Sequence, residues 1–176
     1  MAIRPDLQLV LELPITFRFA QEEDLPKLEW YGQYAHFRQL YRRTFADQLA
    51  GRRFMLLAVC QDFPIGQIFI HISRPPFFTY DQHAYFYSLR VMDMFQRLGI
   101  GTRLLEAAEA IAIERGMRRA TIAAAKNNPG ARRLYERTGY KVFREDAGEW
   151  NYIDHKGDLQ HVSEPSWVLE KNLVAR

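Results

Sequence analysis

An α/β (α+β) fold with one mixed central sheet flanked by helices is predicted for this 176-residue chain by three observations. Short apolar, β-rich runs recur along it, with a strongly amphipathic helical stretch at residues 102–115. Helix punctuation is explicit: Gly51, Gly116 and Gly139 each follow a helical pattern, and Asn128-Pro129 opens one. The resulting order, β–α–α–β–β–β–α–β–α–β–β, mixes strands in direct succession with strands separated by a helix, which implies layers packed on one largely central sheet.

The elements follow in order. Residues 1–14 form an arm ending at Pro14, and residues 15–20 alternate as a strand. Glu22, Glu23 and Asp24 open a short helix through about Tyr31, and a second helix covers about residues 33–50. Residues 54–61 and 65–73 are β-rich, and the Asp62-Phe63-Pro64 break reads as a hairpin turn outside the tight Asn-Gly class. The following Arg-Pro-Pro-Phe-Phe, residues 74–78, is a loop, because two prolines remove ladder donors. Residues 84–91 form the next strand. In the helix at 102–115, Leu104, Leu105, Ala108, Ile111 and Ala112 share one face. Residues 120–125 form a short strand; Asn128 caps the next helix and Pro129 fits its first turn. Two strands close the chain, one from about 140 to 144 with an extension toward 153, the other at 166–173. The turn between them includes Lys156-Gly157-Asp158.

A chain of this length suits one domain spanning 1–176 and buries roughly 70% of its unfolded surface, so its core needs neither metal nor disulfide. Cys60 is the only cysteine, which excludes an internal disulfide framework and a Cys-rich zinc site; within Phe-Met-Leu-Leu-Ala-Val-Cys it reads as a buried, inert thiol. No signal peptide is evident at the start and no apolar run approaches the ~20 residues that span a bilayer. A cytoplasmic protein without a membrane partner is expected. The net charge of +3 favours an anionic ligand. Nucleic acid is not expected, since the Arg pairs at 42–43, 52–53, 118–119 and 132–133 are dispersed over different elements without interleaved stacking residues.

The most informative stretch is Gln96-Arg97-Leu98-Gly99-Ile100-Gly101, between a strand and the helix expected to start near Thr102. Gly99 and Gly101 remove side chains where a backbone could approach a ligand, and the helix end aims free amides at the same place. With Arg97 and Arg103 nearby, this is an anion site suited to phosphate. It is not a Walker loop, because Thr102 follows Gly101 without a lysine. It is not a dinucleotide-binding turn either: Leu104 stands at the third glycine, and Lys126 follows the next strand where a ribose-binding acid belongs.

Residues 128–140 read Asn-Pro-Gly-Ala-Arg-Arg-Leu-Tyr-Glu-Arg-Thr-Gly-Tyr. Asn128 and Tyr135 are two helical turns apart, on nearly the same face. Paired with the glycine turn upstream, this resembles the GNAT-superfamily N-acetyltransferases, whose pattern is Q/R-x-x-G-x-G/A, helix, strand, N-x-x-A-x-x-L-Y-x-x-x-G-F/Y. Gln96, Gly99, Gly101, Asn128, Ala131, Leu134, Tyr135, Gly139 and Tyr140 meet every position. The resemblance is strong over about residues 85–143 and topological elsewhere.

The resemblance implies the GNAT acyl-CoA N-acyltransferase fold and acetyl transfer from acetyl-CoA to an amine acceptor, with no metal. It places the pyrophosphate on the amides of Gln96, Arg97, Leu98, Gly99, Ile100, Gly101 and Thr102. The pantetheine arm would lie along the backbone of Leu89 and Val91, on a strand splayed from its neighbour, with Asn128 and Ala131 alongside. Tyr135 would be the general acid to the CoA thiolate, since a phenol with pKa ~10 is protonated at pH 7. A carboxylate base often found in the family on the strand before the turn is missing from Ala-Tyr-Phe-Tyr-Ser-Leu-Arg-Val; Asp93 lies close to the turn, and His71, His83, Asp81 and Glu149 are bases by residue type only. Without a strong base, an α-amine (pKa near 8) suits the site better than a lysine amine (pKa ~10.4). In the family the acceptor enters opposite the cofactor, where this chain supplies Trp30, Tyr31, Tyr34, His36, Phe77, Phe78, Tyr80 and Trp150. A peptide N-terminus or a small amine with an apolar portion is therefore the expected partner. The final strand is a candidate for pairing across a homodimer interface, leaving monomer and homodimer both open. The alternative function is a non-catalytic acyl-CoA-sensing module of the same fold.

Overall fold

The computed structural model describes residues 12–73 and 82–173. Seven strands form one sheet in the order β1-β2-β3-β4-β5-β9-β6: β1 (Ile15–Phe19), β2 (Arg53–Cys60), β3 (Phe63–Ser73), β4 (His83–Val91), β5 (Arg119–Ala125), β6 (Lys141–Asp146) and β9 (Ser166–Asn172). All neighbours are antiparallel except β4 and β5, which are parallel and joined by the crossover helix α2 (Ile100–Glu114). A separate hairpin pairs β7 (Glu149–Ile153) with β8 (Leu159–Ser163). Two further helices are α1 (Arg38–Leu49) and α3 (Pro129–Arg137). The mixed sheet flanked by helices is the architecture expected from the sequence.

The sheet separates two cores. On β2, Phe54, Leu56, Ala58 and Cys60 face one cluster, while Met55, Leu57 and Val59 face the other. A strand buried on both faces reads as a continuous apolar run, which is why 54–60 is so apolar. The first cluster lies under α2 and α3, through Leu104, Leu105, Ala108, Ala112 and Tyr135. The second lies under α1 and the short turns before it, through Leu28, Phe37 and Tyr41. Cys60 is buried, in keeping with an inert thiol.

Four local expectations are corrected. The helix from Asp24 to Tyr31 is instead two 3-10 turns, Glu22–Asp24 and Lys27–Glu29, because Trp30 and Tyr31 adopt left-handed φ values of 43° and 58°. A third 3-10 turn, Ala35–Phe37, precedes α1, which therefore starts at Arg38 rather than 33. The β2–β3 connection is a tight two-residue turn, Gln61-Asp62, both residues at positive φ (47° and 61°); Phe63 and Pro64 belong to β3. The C-terminal region holds four strands, not two. Lys156-Gly157-Asp158 closes the β7–β8 hairpin, where the Asp154 carboxylate accepts from the amides of Lys156 (2.8 Å) and Asp158 (3.0 Å). The final strand β9 is paired on both edges within the chain, to β5 and β6, so it offers no free edge to a second copy. The arm through residue 11 and the Arg-Pro-Pro-Phe-Phe loop lie outside the described residues.

Candidate active site

The glycine turn follows a 3-10 turn at Asp93–Phe95. Gly99 is the N-cap of α2 with φ 84°, a conformation that side-chain-bearing residues rarely adopt. The helix begins at Ile100, two residues before the sequence expectation, and its first backbone bond runs from the Arg103 amide to the Gly99 carbonyl at 3.0 Å. The Gln96 amide donates to the Asp93 carbonyl at 3.2 Å, and its side-chain Nε2 to the Val91 carbonyl at 3.1 Å and Asp93 Oδ1 at 2.8 Å. Gln96 thus braces the turn. Among the described residues, the amides of 97–102 donate to no acceptor; those of 99–102 are the ones a helix start leaves free, and those of Arg97 and Leu98 come just before it. Arg97 and Leu98 are exposed; the Ile100 side chain is buried in the core.

Close packing fixes this helix end. A Cβ at Gly66 of β3 would stand 3.2 Å from Leu104 Cδ1, 3.3 Å from the Arg90 carbonyl and 3.4 Å from Ile100 Cγ2. Gly66 therefore lets α2 sit directly on the β3–β4 ladder. At Gly101 a Cβ would lie 3.5 Å from Leu134 Cδ2 and 3.8 Å from Val91 Cγ2, so the end of β4, the start of α2 and the face of α3 meet at one point.

β4 and β5 pair only from His83↔Arg119 to Phe86↔Ile122. Beyond Phe86 the two parallel strands part. On its other edge β4 stays bonded to β3, with a bulge: Tyr87 opposes Phe69 and Arg90 opposes Gln67, so Ser88 and Leu89 together face Ile68. Ser88 takes φ 54°. The extra residue puts Leu89 and Val91 against the α2–α3 core, while Tyr87 joins the α1 side.

On α3, Asn128 Oδ1 accepts from the Ala131 amide at 3.0 Å, the N-cap bond expected of it. Tyr135 is 4% exposed and packs in the α2–α3 core. Its hydroxyl meets no hydrogen-bonding partner among the described residues, yet it is not one of the fully enclosed unpaired side-chain oxygens, which are Thr44 Oγ1 and Tyr140 OH. Burial, and secondarily the nearby Tyr85 phenol, push its ionisation well above the usual tyrosine range.

Across the sheet, Tyr34, His36, Phe37, Trp150 and Tyr152 form a linked set of ring contacts; Phe37 lies 4.2 Å from His36, 5.0 Å from Tyr152 and 6.1 Å from Trp150 between centroids. The Arg90 guanidinium lies over Tyr34 at 4.6 Å and Phe37 at 4.9 Å. Burial first, then the charges of Arg90 and His155, lower the His36 pKa, which keeps its imidazole neutral near pH 7.

A family model described as Acetyltransferase (GNAT) family matches residues 17–140, from β1 through the end of the Tyr135 helix and its following glycine. The chain belongs to the GNAT family. Its fold is shared with a GNAT-family acetyltransferase from Desulfovibrio desulfuricans at TM-score 0.70 and 15% identity, covering 92% of this chain and 100% of that one. The ribosomal-protein-S18-alanine N-acetyltransferase of Escherichia coli matches at TM-score 0.67 and 18% identity, covering 93% and 96%. Arabidopsis thaliana NAA60, in complex with acetyl-CoA, matches at TM-score 0.70 and 18% identity, covering 91% and 99%. No curated protein sequence matches the chain.

Acetyl-CoA is the co-substrate of GNAT acetyltransferases, and the residues present suit it. Six uncommitted amides at a helix start could hold a pyrophosphate, and the unpaired edge of β4 could take an extended amide-bearing arm as an added strand. No cluster of metal-ligating side chains occurs among the described residues, and no helix there is long and apolar enough to cross a membrane. The base candidates named by type do not converge. His83 Nε2 is 2.7 Å from Thr121 Oγ1 in the closed part of the sheet, His71 opposes Tyr85 there, Glu149 is exposed on β7, and Asp93 is tied to Gln96. Asp81, Phe77, Phe78 and Tyr80 lie outside the described residues. Of the expected acceptor-side aromatics, Tyr34, His36 and Trp150 do come together. Trp30 joins them through an edge contact with Tyr34 at 5.3 Å, buried with its Nε1 donating to the Pro64 carbonyl at 2.9 Å, whereas Tyr31 stacks on Phe63. Sequence reasoning missed Phe37, Tyr152 and Arg90; the one visible signal was a lone cation, Arg90, in an otherwise uncharged strand.

Proposed function

We propose that this GNAT enzyme acetylates a primary amine, a peptide N-terminus or a small molecule, by direct attack on the thioester of acetyl-CoA. The observation that carries the reading is the coincidence, at the end of β4, of an unpaired strand edge, the uncommitted amides of 97–102 and the α3 face at Leu134, the residue before Tyr135. The amides of Arg97, Leu98, Gly99, Ile100, Gly101 and Thr102 bind the pyrophosphate, with Gln96 bracing the turn from below. Charge-assisted hydrogen bonds contribute roughly 1.5–3 kcal/mol each, enough for several to anchor the cofactor. The backbone of Leu89 and Val91 aligns the pantetheine arm, and Asn128 and Ala131 border it from α3.

The neutral amine attacks the thioester carbonyl carbon. The N–C bond forms as the C–S bond breaks, and the departing thiolate takes a proton from Tyr135. The ammonium proton leaves to solvent, from which Tyr135 is reprotonated. A buried phenol is a weaker acid than usual, but the same exclusion of water raises the basicity of the nascent thiolate, so the two stay matched. A neutral α-amine needs little help from a base, which suits a site where the candidate bases do not converge.

Thiol release from acetyl-CoA against peptides, amino acids, polyamines and aminoglycosides tests the reading. CoA release dependent on one amine class is expected. Tight acetyl-CoA binding with no turnover on any class would instead favour a sensing module.

A further inference from the structure

We propose that Arg90 selects the acceptor: the amine acetylated here carries a carboxylate, which the Arg90 guanidinium binds beside the rings of Tyr34 and Phe37. This rests on the transferase reading above and names the acceptor class of that same site.

The bulge at Ser88 is what brings Arg90 there. Leu89 and Val91 pack under α2, so Arg90 between them lies on the opposite, aromatic side of the same unpaired strand segment, across from Gln67. Its guanidinium is half-buried. Two ring faces satisfy its plane, but its N–H edge has only the Tyr41 hydroxyl, at a long 3.5 Å. Among the described residues no carboxylate pairs with it. Two acids on this side are already committed. Glu29 is gripped by the Arg38 fork at 2.6 and 2.8 Å, and Asp154 by its own turn and by Gln160 Nε2 at 2.9 Å. A half-buried cation with most of its five donors unpaired by protein has an open edge for an anion, and covering it with a ligand is favourable only if that ligand pairs with it. A carboxylate matches the planar fork in a bidentate way that an ammonium would not. If packing alone were required, a methionine or leucine would fill the same nest at less cost.

The test is acetyl-CoA-dependent thiol release with acceptors matched in all but charge. The pairs are free amino acids against their carboxamides, and dipeptide amides with glutamate against glutamine in second place. Expected is a kcat/KM at least tenfold higher for the carboxylate member in one of the pairs, which also tells whether the carboxylate is that of a small molecule or of a peptide side chain. Arg90→Met should collapse that ratio toward one, and Arg90→Lys should keep part of it; thermal melts of both variants establish that they are folded. Equal rates for both members with the wild-type enzyme, or a ratio unmoved by Arg90→Met, overturns the proposal and leaves the transferase reading standing. Bound acetyl-CoA with no release on any acceptor overturns both.

Discussion

The Tyr135 ring is enclosed, while its hydroxyl has no protein partner among the described residues and is not sealed off as the Tyr140 hydroxyl is, which leaves it open to a ligand. Its raised pKa keeps the proton in place at any physiological pH, so no tyrosine ionisation should appear in the rate profile below pH 9. Tyr135→Phe removes one oxygen and keeps the packing. It is expected to lower kcat by ~10- to 10⁴-fold while the acetyl-CoA dissociation constant stays nearly unchanged. Steady-state thiol release together with calorimetric binding checks this, and unaltered turnover would remove Tyr135 from the reaction. This residue was visible in the sequence because it stands at the tyrosine position of the GNAT motif that begins at Asn128. Arg90 was not, because its role depends on which face of β4 it occupies.

At the scale of elements, the position of α2 depends on Gly66. Adding a methyl there presses on Leu104, Ile100 and the Arg90 carbonyl at once, and backbone cannot yield as a side-chain tip can. Gly66→Ala is expected to cost about 1–3 kcal/mol of stability. It should also raise the KM for acetyl-CoA by several-fold, since the displaced helix start carries the amides of 97–102. A melting curve and donor titration read the two effects; loss of stability with unchanged KM would show that the helix end does not depend on this contact. The helices and most strands were legible because periodicity and caps are local signals. The β7–β8 hairpin was not, since Glu149–Ile153 and Leu159–Ser163 are short, exposed and only weakly apolar. Nor was the insertion of β9 between β5 and β6, which is decided by packing rather than by neighbours in sequence. The 3-10 turns before α1 escaped for a third reason: left-handed Trp30 and Tyr31 have no propensity that announces them.

At the scale of the whole molecule, the edge strand β1 is tied to the chain that follows it by an ion pair whose Asp24 end is buried and whose Arg18 end is partly exposed. Arg18 Nη1 and Nη2 reach Asp24 at 2.6 and 3.0 Å, and the Gln21 amide adds a bond at 2.8 Å. Burial opposes the Asp24 charge, but these bonds and the Arg18 cation outweigh it and hold its carboxyl below the usual 3.8. A depressed folded pKa contributes stability above the unfolded value, lost as pH falls through the folded one. Asp24→Asn is expected to cost about 1–3 kcal/mol at pH 7, since the Arg18 left behind is partly exposed. The gap to wild type should narrow as pH drops below 4. Denaturant melts across pH 2–7 measure it, and a gap independent of pH would mean that the Asp24 charge is not what matters. On the proposed reading the two cores divide the labour: cofactor on the α2–α3 side, acceptor on the α1 and β7–β8 side, with β4 as the shared wall.

The bulge at Ser88 has a further consequence for how this wall can change. Up to Phe86, even-numbered residues of β4 point into the α2–α3 core; after it, odd-numbered ones do. One inserted residue has shifted the strand's phase by half a period. Position 90 is thereby released from the parity that packs its neighbours, and under the proposed roles its chemistry can drift with the acceptor while Leu89 and Val91 stay fixed for the donor. A single strand so phased lets the enzyme exchange one substrate for another without re-engineering its grip on the cofactor they all share.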